Sequence, residues 1–281
     1  MKIIWFVKQS FILDYKFLKV SQWAPSKKVD FIFKKYLTLL KHFIRPFRLG
    51  KDSTQFYGEM LFYGSRFGFS DYQAILARHQ KLIAISNLRT KKKGVIIDVG
   101  AHVGFFSKLM RELYPDSSIY AIEPVPVIFD CLTKNFSSDR NTYLYNIALS
   151  EKTKKITMKF NAERTETSKV STTGNIHIQA KSLDDFIREQ KIRRIDLLKI
   201  DTEGFEQLVL LGAHKALCIT NYLFIEVTIK DNPNYTISSL MSHLYSKDFN
   251  YNLLAFRNFG DTSEGKVPLL DCLMENIKKV D

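Results

Sequence analysis

Cysteine, tryptophan, glycine and acidic residues are all scarce in this chain, and each scarcity closes a route. Three cysteines in 281 residues, Cys131, Cys218 and Cys272, are an odd number with neither paired nor metal-type spacing. That argues against a disulfide framework and for ordinary buried thiols in a reducing compartment. No run approaches the ~18 to 20 consecutive apolar residues of a membrane span. The longest early run, residues 3–7, is too short for a secretory signal core, and no small-residue cleavage pattern follows it. A cytoplasmic protein is therefore expected. Acids number 29 against 42 Lys and Arg, leaving a formal charge of +13.

What is present is unevenly placed. With 45% apolar residues the chain can bury a full core, enough for one sizeable domain and an appendage. Residues 1–50 hold eleven Lys and Arg against Asp14 and Asp30, so this fifth of the chain carries +9 of the total. The same residues contain both tryptophans, Trp5 and Trp23, and eleven aromatic side chains. Residues 29–45 read as a helix with Ile32, Tyr36, Leu39 and Phe43 on one face, Lys34, Lys35 and Lys41 interleaved, and Pro46 as the stop. Cations among aromatics suit an interfacial helix at the anionic inner face of a membrane, or a basic surface for an anionic polymer. The stronger expectation is a helical extension packed on the domain or on a second subunit of a homodimer. Residues 50–68 read as an irregular lead-in, and Asp71 as the cap of a helix reaching Leu88. The expected division is a basic helical extension at 1–50, a lead-in at 51–93 and one catalytic domain at 94–281.

The domain begins with residues 95–104, Val-Ile-Ile-Asp-Val-Gly-Ala-His-Val-Gly. An unbroken β-branched run reads as a strand buried on both faces, hence part of a parallel sheet. It ends in Asp98, Gly100 and Gly104, glycines that let the backbone turn and approach a ligand, and a helical pattern runs from Phe105 until Pro115. The spacing Asp-x-Gly-x-x-x-Gly departs from the Gly-x-Gly-x-x-Gly of dinucleotide sites. It looks like the first motif of the class I S-adenosylmethionine-dependent methyltransferases. A second short strand, Ser118–Ile122, ends at Glu123, nineteen residues after Gly104, where such a fold holds a ribose through its hydroxyls.

Strand and helix then alternate, which argues for right-handed crossovers. Residues 127–136 read as a helix and 142–146 as a strand, with Asn146 placed either to reach the adenine or carboxylate of a ligand or simply to make a turn. Residues 154–160 and 176–180 read as a hairpin-like insertion around the polar loop 161–175. Ser182 caps a helix over 183–190, Ile195–Ile200 is a buried strand, one helix carries Phe205, Leu208, Leu211 and Ala216, and residues 222–227 form a strand containing Glu226. Residues 251–256 and 267–273 close the sheet as an antiparallel hairpin.

Asp98-Val-Gly-Ala-His-Val-Gly104, Ala148-Leu-Ser150, Ser182-Leu-Asp-Asp185, Leu198-Lys-Ile-Asp-Thr-Glu-Gly204 with Gly212-Ala213, and Ile225-Glu226 together resemble the FkbM-type methyltransferases. The resemblance covers residues 94–228; residues 1–50 inherit nothing from it. It implies an α/β Rossmann-like fold, a mostly parallel seven-stranded sheet with helices on both faces, and S-adenosylmethionine-dependent O-methylation of a sugar, glycan or related small molecule. By position it implies cofactor contacts from Asp98, Gly100, Ala101, His102, Gly104, Glu123 and Asn146, and an acceptor side lined by Asp201, Glu203 and Glu226. His102 is read as a loop residue rather than a general base. Asp201 and Glu203 also stand where a helix N-terminus stabilises acids without any catalytic task. Two such acids suit Mg²⁺, but no third ligand is evident, so no metal is expected. Nucleic acid is not the expected acceptor: Asp231-Asn-Pro-Asn-Tyr235 resembles an amino-methyltransferase signature but follows the wrong strand, and reads as a turn.

Overall fold

A computed structural model of the chain describes residues 24–44, 53–56, 59–62, 93–160, 169–170, 174–228, 236–246, 248–259 and 269–277, with Phe11, Asp14, Tyr15, Leu18, Lys19, Lys51 and Leu88. The helix expected from Asp71 to Leu88, apart from Leu88 itself, the expected turn at 231–235 and most of the loop 161–175 fall outside these residues.

The sheet grows from β3 (Val95–Val99), β4 (Ser118–Ile122), β5 (Thr142–Tyr145), β10 (Ile195–Ile200), β11 (Thr220–Thr228), β12 (Tyr251–Phe259) and β13 (Leu269–Asn276). Its order is β12-β13-β11-β10-β3-β4-β5, and every pairing from β11 to β5 is parallel. Only β13 runs antiparallel to its neighbours, as the closing hairpin requires. This is the seven-stranded, mostly parallel arrangement expected.

Apolar side chains alternate between two faces, because successive residues of a strand point opposite ways. Ile97, Val99, Leu198, Ile200, Leu223 and Ile225 meet α4 (Leu183–Glu189), α5 (Glu206–Leu211), α6 (His214–Cys218) and α7 (Ile237–Leu244). Ile96, Leu197 and Phe224 meet Phe106, Leu109 and Met110 of α2 (Phe105–Leu113). Beside them Ala121 packs with Leu132 and Phe136, the last turn of α3 (Pro126–Asn135) and its C-cap. Ser182 caps α4 as expected, its hydroxyl accepting from the Asp185 N–H.

Several elements depart from the sequence reading. The helix expected over 29–45 is α1 (Pro25–Ile44), beginning a turn earlier because Pro25 has the fixed φ of a first helical residue. It is also rotated: Phe31 and Lys35 are buried, whereas Ile32 and Tyr36 are only half-buried. The lead-in contains a two-stranded antiparallel ribbon, β1 (Ser53–Phe56) and β2 (Glu59–Phe62), with Gly58 in the sequence between them. The strand ending at Tyr145 does not run on; β6 (Ala148–Leu149) joins β7 (Lys154–Lys159), β8 (Lys169–Val170) and β9 (Ile176–Lys181) in a separate sheet ordered β6-β9-β7-β8. The single helix expected over 205–216 is broken at Gly212, where an added Cβ would lie 2.2 Å from the Ser150 carbonyl oxygen. The helix α7 was not anticipated, although Thr236 and Ser239 form a capping box at its start.

Candidate active site

The sheet register sets the site. Val99 pairs with Ile122 on one side and Ile200 on the other, and Ile200 pairs with Ile225. One residue further on stand Gly100, Glu123, Asp201 and Glu226, a row at the carboxyl side of four adjacent parallel strands. In open α/β sheets this is where ligands bind.

The loop after β3 is built by conformation and by hydrogen bonds. Gly100 and Gly104 have φ of 77° and 94°, with His102 at 52° between them. Both glycines approach protein rather than open space: an added Cβ on Gly100 would lie 1.9 Å from the Asp201 carbonyl oxygen, and on Gly104 2.3 Å from the Phe136 ring. The absent side chains thus allow close packing between the loop, β10 and α3. Gly100 and Ala101 N–H donate to the Ile122 carbonyl at 3.0 and 2.9 Å. The His102 N–H donates to Glu123 Oε2 and the Val125 N–H to Glu123 Oε1, each at 2.9 Å. Glu123 is 5% exposed, and burial pushes its carboxyl up to about 7 against those two bonds and the charge of Lys199, which favour the anion. Asn146 donates through Nδ2 to the carbonyls of Glu123 and Pro124 at 2.9 and 3.0 Å, which holds the turn after Glu123.

Asp98 lies fully buried beneath the loop. Its Oδ2 accepts from Ser107 Oγ at 2.6 Å, and its Oδ1 is 3.0 Å from Lys199 Nζ. Lys199, 1% exposed, also donates to the Gly100 carbonyl at 2.8 Å and stands 3.3 Å from Asp201 Oδ2. It thus ties β3, the glycine loop and the turn after β10 together. Lys199 lies within the sequence motif that carries the family resemblance, yet sequence reading gave it no role. Its position opposite Asp98 is visible only once β10 and β3 are in register.

The turn after β10 is held by Glu206, also unanticipated. Its Oε1 accepts from Thr202 N–H, Thr202 Oγ1 and Gly204 N–H at 2.9, 3.0 and 3.0 Å. That clamp supports Glu203 at φ 54° and Gly204 at φ 100°. The turn brings the three expected acceptor-side acids together: carboxylate oxygens of Asp201, Glu203 and Glu226 lie within 4.8 Å of one another. Glu203 is exposed and the other two are half-buried. Glu226 thereby supplies the third oxygen ligand that a metal ion would need and that the sequence did not make evident. Three acids this close together repel a polyanion.

A family model described as the methyltransferase FkbM domain matches residues 98–253. Among curated proteins, the methyltransferase sdnD of Sordaria araneosa is 30% identical over 153 residues, covering 42% of this chain and 59% of its own length. The hexuronic acid methyltransferase AglP of Haloferax volcanii is 26% identical over 187 residues, 64% of this chain and 77% of its own. The 2-O-methyltransferase NoeI of Sinorhizobium fredii is 23% identical over 161 residues, 50% and 66% respectively. Among solved structures, the methyltransferase FkbM of Methylobacillus flagellatus is 16% identical with a TM-score of 0.48, over 73% of this chain and 54% of that one.

Proposed function

The chain belongs to the FkbM methyltransferase family, and from that premise we propose that it moves the methyl group of S-adenosylmethionine to a hydroxyl oxygen of a sugar, glycan or related small molecule. The observation that carries the reading is the row of acids at the carboxyl side of the parallel strands, Glu123 on one side and the Asp201, Glu203 and Glu226 cluster on the other.

Glu123 fits the adenosyl group. A buried carboxylate that has accepted one N–H on each oxygen keeps lone pairs for two adjacent ribose hydroxyls. The loop 100–104 would lie along the rest of the cofactor, with Ala101 and His102 in it. Asp98 holds that loop through Lys199 rather than offering its own buried oxygens. The bound cofactor supplies an activated methyl on a sulfonium. The protein must then align the acceptor oxygen and take its proton. Asp201 is the base in this reading, with its carboxylate fixed by Lys199 and turned toward the same opening as Glu203 and Glu226, which accept from neighbouring acceptor hydroxyls.

A sugar acceptor is supported by the chemistry of the opening, since clustered carboxylates bind polyols by accepting hydrogen bonds. The relatives AglP and NoeI bear names of the same kind, a hexuronic acid methyltransferase and a 2-O-methyltransferase. Nucleic acid is disfavoured by the same three negative charges. The free thiols Cys131, Cys218 and Cys272 support work in a reducing compartment. The test is incubation with methyl-labelled S-adenosylmethionine and parallel pools of uronic acids, neutral glycans and RNA, read by mass spectrometry. Methyl incorporation into a carbohydrate hydroxyl is expected; label in RNA alone would overturn the reading.

A further inference from the structure

The helix α1 has two apolar faces, and the domain uses one. Inward, Phe31 is 5% exposed in a cluster with Val103, Phe105, Val125 and Ile128, and Lys35 is fully buried with Nζ 2.6 Å from Asp14 Oδ1. Outward, Val29, Phe33, Leu37, Leu40 and Ile44 recur every three or four residues and are between 53% and 79% exposed. That spacing is one stripe of a helix, about 22 Å long at 1.5 Å per residue. Helical periodicity puts Lys27 and Lys34 along one flank of the stripe and Tyr36 along the other, where the 59% exposed Phe11 stacks on it at 5.8 Å. A continuous apolar stripe bordered by Lys27 and Lys34, each paired with an acid, is not the scattered exposure ordinary for a surface.

We infer that this face of α1 docks the protein on an anionic lipid bilayer, lying in the interface without crossing it. No helix of the described residues is long and apolar enough to span a membrane. Charge selects the occupant. Residues 1–50 carry a net +9, so a second copy of the chain would set two strongly cationic segments against each other. An anionic headgroup layer meets the same charge favourably, and the acyl boundary beneath it takes the apolar stripe. A nucleic acid would answer the lysines but leave five large apolar side chains in water. The exposed pairs Lys27–Glu112 and Lys34–Asp30 do not oppose docking, because ion pairs this accessible are weak and readily exchanged.

Vesicle flotation of the full chain tests the inference, using phosphatidylcholine alone and phosphatidylcholine mixed with phosphatidylglycerol. Binding to the anionic vesicles is expected, roughly tenfold or more weaker on neutral vesicles and falling as salt is raised. F33S/L37S/L40S should lose anionic binding by about tenfold or more with an unchanged circular-dichroism melt. Should that variant melt early, K27Q/K34Q decides: it weakens anionic binding several-fold and leaves neutral vesicles unaffected. Wild-type protein that ignores anionic vesicles would overturn the inference. So would light scattering that finds a wild-type dimer turned monomeric by F33S/L37S/L40S, since the stripe would then join two copies.

Discussion

Each buried charged group of the site has a distinguishable part, and substitution separates them. The folded chain keeps a proton on Glu123 up to about pH 7, whereas the unfolded chain releases it near the ordinary 4.5. Between those values the native state binds more protons, so stability falls as pH rises, by about 3 kcal/mol across the window. Urea denaturation at a series of pH values should show that fall, and Glu123→Gln should flatten it. Ligand hydroxyls that donate to the carboxylate favour the anion, so calorimetry should find S-adenosylhomocysteine binding tightening from pH 6 to about 7 and level beyond; affinity independent of pH would place the ribose elsewhere. Asp201→Asn keeps shape and removes a proton acceptor, so kcat should drop by ~100-fold with little change in melting temperature. Lys199→Met does the reverse in kind. It strands Asp98 in the core without its ammonium, at a cost of about 3 to 5 kcal/mol, and the melt itself should move.

At the scale of elements, connections are held by a few polar side chains whose partners are distant in sequence. Arg111 in the last turn of α2 donates to the Pro115 and Ser117 carbonyls at 2.8 and 2.6 Å, to Thr142 Oγ1 at 3.1 Å and to Asp139 Oδ2 at 2.9 Å. It closes the turns before β4 and β5 together, and Arg111→Ala should lower the stability read by urea denaturation by about 2 to 3 kcal/mol. Such pairings explain what was legible in the sequence. Buried parallel strands announce themselves as short, mostly apolar runs, so β3, β4, β10 and β11 and the acids toward their carboxyl ends could be read directly. Roles of single acids could not. Asp98, Asp196 and Asp201 all stand in or beside buried strands, yet Asp196 receives the Val95 N–H at 2.8 Å and Arg194 Nε at 3.0 Å at the far end of β10. Only the register tells a carboxylate that pins a strand from one that faces an opening. The break at Gly212 is not legible in the sequence for the same reason, since what forbids a side chain there is the Ser150 backbone, sixty-odd positions earlier.

The whole molecule joins three pieces at one apolar cluster. Phe31 of α1 meets Val103 and Phe105 of the glycine loop and α2, Val125, Ile128 and Cys131 around α3, and Ala148, Met158, Ile178 and Ala180 of the second sheet. Among the described residues, the larger cluster under α4 to α7 contains none of α1. Loss of α1 should therefore be a local event that leaves the main sheet intact. The point of leverage is Asp14, whose carboxylate receives Lys35 Nζ and the Tyr36 hydroxyl, both at 2.6 Å. Burial draws the Lys35 ammonium below its ordinary range and Asp14 opposes that pull. Asp14→Ala removes the opposing charge, and a lysine at 0% exposure regains water most cheaply by lifting the helix. Limited trypsin digestion should then cut within residues 27–41 at least ~10-fold faster than in wild type, a change of 1.4 kcal/mol or more in local opening. The urea midpoint of the remaining domain should hold. S-adenosylhomocysteine, by ordering the loop that carries Val103, should slow that cleavage in both proteins. If the midpoint falls in step with the cleavage rate, α1 unfolds with the sheet as one cooperative unit and the local picture is wrong.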